Sequence, residues 1–203
     1  MKNKILAATA DMETRPVVGT HNSMTFSRPA KWYGYLMIPF ARCQRQTIRG
    51  QFDAGARCFD LRVRFRKDGS PYFAHGLMVV RGDVQGTLLV INALANHAKC
   101  PVYVRLVLED GQCWDWQEKL FWAFCKIYEE KFPLITFFQG NRKGDWKQVY
   151  EFKTKPVLGQ CVGSMAADAR WYERLVPWFY ARRRNRQNLS VPPASDIALY
   201  DFL

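Results

Sequence analysis

Three histidines occur in the 203-residue chain, and two of them stand in matching surroundings. His21 follows Val17-Val18-Gly19-Thr20 and precedes Asn22-Ser23. His75 follows Tyr72-Phe73-Ala74 and precedes Gly76. In each case a short β-forming run ends in an imidazole beside small or polar residues, which is how a buried strand delivers a side chain to the rim of a fold. Between them lies Asp60-Leu61-Arg62. Histidine titrates near neutral pH, so of two that face each other one can accept a proton while the other donates one. Arginine presents a planar fork that matches two phosphate oxygens and can hold the charge growing on a phosphoryl transition state. Acid–base cleavage of a phosphodiester is the chemistry this set supports. A single histidine is more often structural, but two of three at strand ends with Asp60 and Arg62 between them favour catalysis. The third, His97 in Asn96-His97-Ala98-Lys99, reads as a solvated helix end.

Elements of a particular kind must position these groups. Residues 57–65 alternate strictly: Phe59, Leu61 and Val63 share one face, Asp60, Arg62 and Arg64 the other. Lys67-Asp68-Gly69-Ser70-Pro71 is a turn into the strand that ends at His75. Residues 83–98 read as a helix with Leu88, Ile91 and Leu94 inward. Val102–Leu108 reads as a strand with Tyr103, Arg105, Val107 and Glu109 on the face opposite Val102 and Val104. Residues 31–40 form a loop or short helix, and 42–54 an amphipathic helix ended by Gly55. A long helix over 114–130 should bury Trp116, Leu120, Phe124 and Ile127. A strand at 134–138, a helix at 144–152, a strand at 155–162 and a helical stretch over 165–187, broken at Pro177, follow. Residues 197–203 form one more strand, carrying Asp201. Strands alternating with helices, with charges where strands end, predict an α/β fold: a single domain over 1–203 built as a small or incomplete, distorted TIM (β/α) barrel.

Bulk properties narrow the partners. The apolar share is 48% and the net charge +12. Such a basic chain favours polyanions such as phosphorylated substrates or anionic membranes, and no nucleic-acid motif accompanies the charge. No apolar run approaches a membrane span of about 20 residues. Ile5-Leu6-Ala7-Ala8 is too short for a secretory signal, so a cytoplasmic or peripheral-membrane setting is expected. The six cysteines lack metal-ligand spacing and read as free thiols in a reducing compartment. Lys31-Trp32-Tyr33 and Pro177-Trp178-Phe179-Tyr180 can be interfacial anchors or ordinary core and rim. Oligomeric state is not legible.

Several segments in order resemble the X-domain of the phosphatidylinositol-specific phospholipases C: Gly19-Thr20-His21-Asn22-Ser23, Gln46-Thr47-Ile48 to Gln51, Gly55-Ala56-Arg57-Cys58-Phe59-Asp60-Leu61-Arg62-Val63, and Ala74-His75-Gly76. The resemblance implies a distorted TIM barrel that cleaves phosphatidylinositol-type lipids at a membrane surface. A base takes the inositol 2-hydroxyl proton, the oxygen attacks phosphorus, and an acid protonates the departing diacylglycerol, leaving a cyclic inositol phosphate. Carried onto this chain, it implies His21 as base, His75 as acid and Arg62 as the phosphoryl clamp, with Asp60 beside it. Asp201 is a candidate partner for His21, and Asn22, Arg105 and Glu109 are expected to contact substrate.

The resemblance also bears on metal. Bacterial members carry Asp-x-Arg and work without one; eukaryotic members carry acids at both positions and hold calcium. Asp60-Leu61-Arg62 follows the bacterial pattern, so no cofactor is expected. Asn22 instead follows the eukaryotic pattern, and with Asp60 and Glu109 it makes the one set that could take Ca²⁺. Where bacterial members have an aspartate orienting the acid histidine, this chain has Asn22, a weaker orienter for His75. Two other functions compete: a metal-dependent glycerophosphodiester or sphingomyelin phosphodiesterase, and a non-catalytic phosphoinositide or membrane binder.

Overall fold

The computed structural model describes residues 16–109, 115–140, 147–148, 159–164, 166–191 and 195–203. Its strands are β1 (Val17–Thr20), β2 (Cys58–Phe65), β3 (Pro71–His75), β4 (Met78–Val80), β5 (Val102–Leu108), β6 (Ile135–Gly140), β7 (Lys147–Gln148), β8 (Gly159–Val162) and β9 (Ile197–Tyr200). Its helices are α1 (Gly34–Ala41), α2 (Ile48–Asp53), α3 (Val84–Ala98), α4 (Asp115–Lys131), α5 (Trp171–Leu175) and α6 (Pro177–Ser190), with a 3₁₀ turn at Ser23–Phe26.

The strands form one sheet in the order β7-β6-β5-β2-β1-β9-β8, with the β3–β4 hairpin hanging from β2. The pairs from β6 to β8 are parallel, while β3, β4 and β7 run antiparallel to their neighbours. Among the described residues β7 and β8 do not meet, so the sheet curls into an incomplete (β/α) barrel, as the alternation of elements predicts.

The two faces of β2 sort as expected. Phe59, Leu61 and Val63 are fully buried in the main core with Leu88, Ile91, Phe121 and Phe124 from the covering helices. On the inner face Cys58, Phe138, Ile197 and Leu199 form an apolar floor. One step further along the strands stand Asp60 and Arg105, directly opposite each other in the β2–β5 register. The floor is packed closely enough that Gly19 has no alternative. A Cβ there would sit 2.6 Å from Leu199 Cδ2 and 2.8 Å from Cys58 Cβ. Gly19→Ala is therefore expected to destabilise the fold by about 1–3 kcal/mol, as overpacking does. An unchanged midpoint in urea unfolding would contradict this.

Several elements differ from the sequence reading. The expected 42–54 helix is only α2, because residues 42–47 are drawn out to bind the Ser23–Phe26 turn: Cys43 N and Gln44 N both donate to Thr25 Oγ1. Thr47 then caps α2, accepting from Gly50 N. In α4 the buried face is rotated from the expected one. Phe121, Phe124, Cys125 and Tyr128 are inside, whereas Trp116 and Ile127 are exposed. Linked ring contacts Phe65–Phe124, Phe124–Tyr128 and Tyr128–Phe132 select that face over a competing stripe of the same period. In α3, Ala95 completes the inner stripe and Leu94 flanks it. Within the expected 144–152 helix, residues 147–148 are strand, and the rest lies outside the described residues, as do 155–158 of the expected 155–162 strand. The β4 arm of the hairpin has no counterpart in the sequence reading. Among the described cysteines Cys43, Cys58 and Cys125 are buried free thiols, while Cys100 and Cys161 are half-buried.

Candidate active site

His21 stands one residue past the end of β1 and Asp201 one residue past β9, its parallel neighbour. This adjacency joins two groups that are 180 positions apart: His21 Nδ1 donates to Asp201 Oδ1 at 2.7 Å. The second carboxylate oxygen accepts from Ser164 N at 2.8 Å. Gly163 makes room for it, since a Cβ there would fall 2.2 Å from Asp201 Oδ2. Gln44, fully buried, ties the two strand ends together by donating from Nε2 to His21 O at 3.1 Å and to Tyr200 O at 2.7 Å.

Arg62 sits at the centre. One terminal nitrogen donates to His21 Nε2 at 2.9 Å and the other to Glu109 Oε2 at 3.1 Å, while Nε lies 3.4 Å from Asp60 Oδ2. Asp60 also accepts from Asn22 N at 3.0 Å and from Arg105 at 3.1 Å. The other oxygen of Glu109 accepts from Gly76 N at 2.7 Å, which anchors the hairpin loop next to His75. His75 Nδ1 donates to Ala41 O at 2.8 Å, leaving Nε2 to face inward. The His21 and His75 ring centroids are 6.5 Å apart. Asn22, in a left-handed turn that asparagine tolerates, lies between the rings, with Nδ2 3.1 Å from His21 Nε2 and 3.3 Å from His75 Nε2. Every site residue named from the sequence is in this cluster. His21, Arg62, His75 and Arg105 line a cavity of about 430 Å³ together with Phe40, Cys161, Ser164 and Arg174. His97 is exposed, at the end of α3.

Electrostatics separate the two imidazoles. Burial opposes a charge on His21, but Cys161 and the Asp201 carboxylate outweigh it and raise its affinity for protons. An Arg62 N–H directed at Nε2 needs a lone pair there, so this contact belongs to the neutral, Nδ1-protonated form of the ring. Burial first, then Arg62, pushes His75 down to about 4. Asp60 is held down at about 2: burial opposes the charge, and Arg105 and Arg62 overcome it.

The calcium set fails a donor test. Both oxygens of Asp60 and both of Glu109 already accept hydrogen bonds, and the Arg62 guanidinium occupies the space between the two carboxylates. A divalent ion there would have to displace a buried cation with three partners, so these residues do not fit calcium. The sequence reading missed Gln44, Cys43, Gly163 and Ser164. None carries a local signal, although the Gly163-Ser164 pair just after a strand is the kind of loop that approaches a site.

Comparison with known proteins gives the family and the fold. Residues 18–159 match the family described as phosphatidylinositol-specific phospholipase C, X domain. The fold is similar to that of the phosphatidylinositol-specific phospholipase C of Listeria monocytogenes, with TM-score 0.65 and 16% identity over 94% of this chain and 89% of that one. It is also similar to a variant of the Staphylococcus aureus enzyme, with TM-score 0.63 and 12% identity over 93% and 86%. A further S. aureus structure, titled for the modulation of membrane binding, has TM-score 0.56 and 14% identity over 92% and 71%. No curated protein matches the sequence.

Proposed function

The chain belongs to the phosphatidylinositol-specific phospholipase C X-domain family, and from that premise we propose that it cleaves phosphatidylinositol-type lipids to diacylglycerol and a cyclic inositol phosphate without a metal. The observation that carries this reading is the Arg62 contact to His21 Nε2 at 2.9 Å, with His75 facing it across one cavity. A phosphodiester bound against Arg62 takes the guanidinium's N–H groups onto its oxygens and frees the Nε2 lone pair. His21 Nε2 then removes the proton of the inositol 2-hydroxyl. The oxygen closes on phosphorus, the bond from phosphorus to the glycerol oxygen breaks, and His75, in the imidazolium form with Nδ1–H kept on Ala41 O, gives its Nε2 proton to that oxygen. Asp201 stabilises the imidazolium formed on His21, while Asp60 and Glu109 hold the clamp in plane. Arg105 neutralises Asp60 and reaches the cavity wall.

The substrate is presented by a lipid surface in this reading. Trp32, Leu36 and Leu77 are about three-quarters exposed, and Phe40 of the same helix as Leu36 lines the cavity. Trp171 and Leu175 are exposed on α5, beside Arg174 and Pro177 of the cavity wall. Tyr180, by contrast, is core. No helix among the described residues is long and apolar enough to cross a membrane.

The test is a product analysis on phosphatidylinositol vesicles in a chelating buffer. A cyclic inositol phosphate formed at the same rate with and without chelator is expected. Activity that needs added Mg²⁺ or Ca²⁺, or vesicle binding with no turnover, would overturn the reading in favour of a metal-dependent phosphodiesterase or a non-catalytic binder.

The low proton affinity of His75 makes the acid step the weak point. Asn22→Asp places a carboxylate about where Nδ2 now faces His75. A nearby negative charge favours the charged imidazole, so the His75 midpoint should rise from about 4 toward neutrality. Turnover near neutral pH should rise with it. Proton NMR titration of the imidazole and a rate measurement check both, and an unmoved midpoint would contradict the account.

A further inference from the structure

Cys43 has no task in the reaction above, yet it is fully buried against the pair that the reaction depends on. Its backbone is held from two sides. Its N–H donates to Thr25 Oγ1, and its carbonyl accepts from Phe202 N, the residue after Asp201. Phe202 takes a left-handed conformation to make that bond. The sulfur is thereby fixed so that ligand atoms of His21, Cys43 and Asp201 all lie within 4.8 Å of one another. On a tetrahedral zinc ion, neighbouring nitrogen, oxygen and sulfur ligands are separated by roughly 3.3–3.8 Å, from the usual bond lengths. Side-chain shifts of about 1 Å would bring the three into that arrangement.

A fourth donor stands beside them. Asn22 is 2% exposed and its Oδ1 is buried with no hydrogen-bond partner among the described residues. Its Nδ2 lies 3.4 Å from Cys43 Sγ and 3.1 Å from His21 Nε2. Turning the amide over exchanges nitrogen for oxygen at that point and puts an unused acceptor beside Cys43 Sγ. Imidazole, thiolate, carboxylate and amide oxygen together suit a borderline-soft ion and not calcium or magnesium.

We propose that His21, Cys43, Asp201 and Asn22 form a zinc-binding site, and that zinc there switches the enzyme off. The inhibitory half rests on the reading of His21 as the base; the metal site does not. Binding forms Zn–N, Zn–S and Zn–O bonds and releases the Cys43 thiol proton to solvent. Asp201 and the thiolate balance the two positive charges. Zinc takes Nδ1, the nitrogen that faces Asp201, and the proton there moves to Nε2. That leaves Nε2 unable to accept a substrate proton and breaks its contact with Arg62.

Cobalt titrated into the full chain provides a readout independent of catalysis. One equivalent should bind with the near-ultraviolet thiolate charge-transfer absorption and the strong visible bands of a four-coordinate ion. The thiolate absorption should be lost in Cys43→Ala and retained in Cys161→Ala. Asp201→Asn, should Cys43→Ala not fold, is expected to weaken zinc binding at least tenfold in competition with a chelating dye. Lipid hydrolysis by the unaltered chain should fall with one equivalent of zinc and return with chelator. Cobalt binding without a thiolate band, or a band that persists in Cys43→Ala, overturns the site. Thiolate binding with hydrolysis undiminished by zinc overturns the switch. If the chain hydrolyses no lipid, the cobalt spectrum still decides the site, so the two readings fail separately.

Discussion

Arg62→Lys is expected to lower turnover on phosphatidylinositol by about 10²–10³-fold, the range seen when one preorganised donor to a transition-state charge is removed. The substitution keeps the positive charge and loses the geometry. The guanidinium reaches His21, Glu109 and Asp60 at once because its donors are spread in a rigid plane. An ammonium is a point charge on a flexible stem and cannot span the same three partners while presenting two N–H groups to one phosphoryl unit. The loss should fall on kcat more than on KM, because charge on the phosphoryl oxygens grows on the way to the transition state. A part of the effect is structural, since a buried oxygen of Glu109 loses its partner at a cost of about 1–3 kcal/mol. Thermal unfolding measured beside the kinetics separates the two. A lysine variant within a few-fold of the unaltered rate would show that Arg62 is a scaffold for the carboxylates and no clamp.

His21→Ala is expected to cost about 10²–10⁴-fold in turnover, as loss of a general base does. Asp201→Asn should cost less, and the double variant should be no worse than His21→Ala alone. Asp201 touches the reacting atoms only through His21, and groups that act as a unit are not additive. Additive losses in the double variant would mean that Asp201 acts on its own. The pair also predicts a pH effect on stability. Burial opposes a charge on Asp201, yet His21, Ser164 N and Cys43 hold its carboxyl below the ordinary value. A carboxylate depressed in the folded state contributes stability that is fully present above its unfolded value and is lost as pH falls through the folded one. Asp201→Asn should therefore flatten the acid side of the stability profile below about pH 4.

The carbonyl and amide ties around this pair explain why those two substitutions report on chemistry in different ways. Gln44 holds the ends of β1 and β9, and Ser164 and Gly163 seat the carboxylate. His21→Ala leaves that frame standing. Asp201→Asn alters a group with two buried partners, so its activity and stability effects must be measured together.

Much of this arrangement is written in local sequence. The alternation in 57–65 assigns Asp60 and Arg62 to one face and Phe59, Leu61 and Val63 to the other, because side chains along a strand repeat every two residues. The turn at 67–71 connects that strand to the one that ends at His75, and the structure pairs the two antiparallel. The order of strands and helices leads to the barrel, and the pieces around His21, Asp60 and His75 carry the family resemblance. Local pattern is weaker where two solutions share one period. The face of α4 was decided by ring packing against Phe65, and the 42–47 segment by bonds to Thr25, neither of which the periodicity contains.

Local pattern specifies which chemical groups are present and which strand end each one rides on. Which of them meet follows from how the strands pair. Asp201 reaches His21 only because β9 pairs with β1. Arg62 lies between Asp60 and Glu109, and so closes the space that calcium would need, only because β5 pairs with β2 in one particular register. Cys43 comes to the same pair through a backbone bond to Phe202. The reason is physical: side-chain direction follows from a repeat of two or four residues, whereas contact between distant residues follows from strand register and packing, which the whole core sets at once.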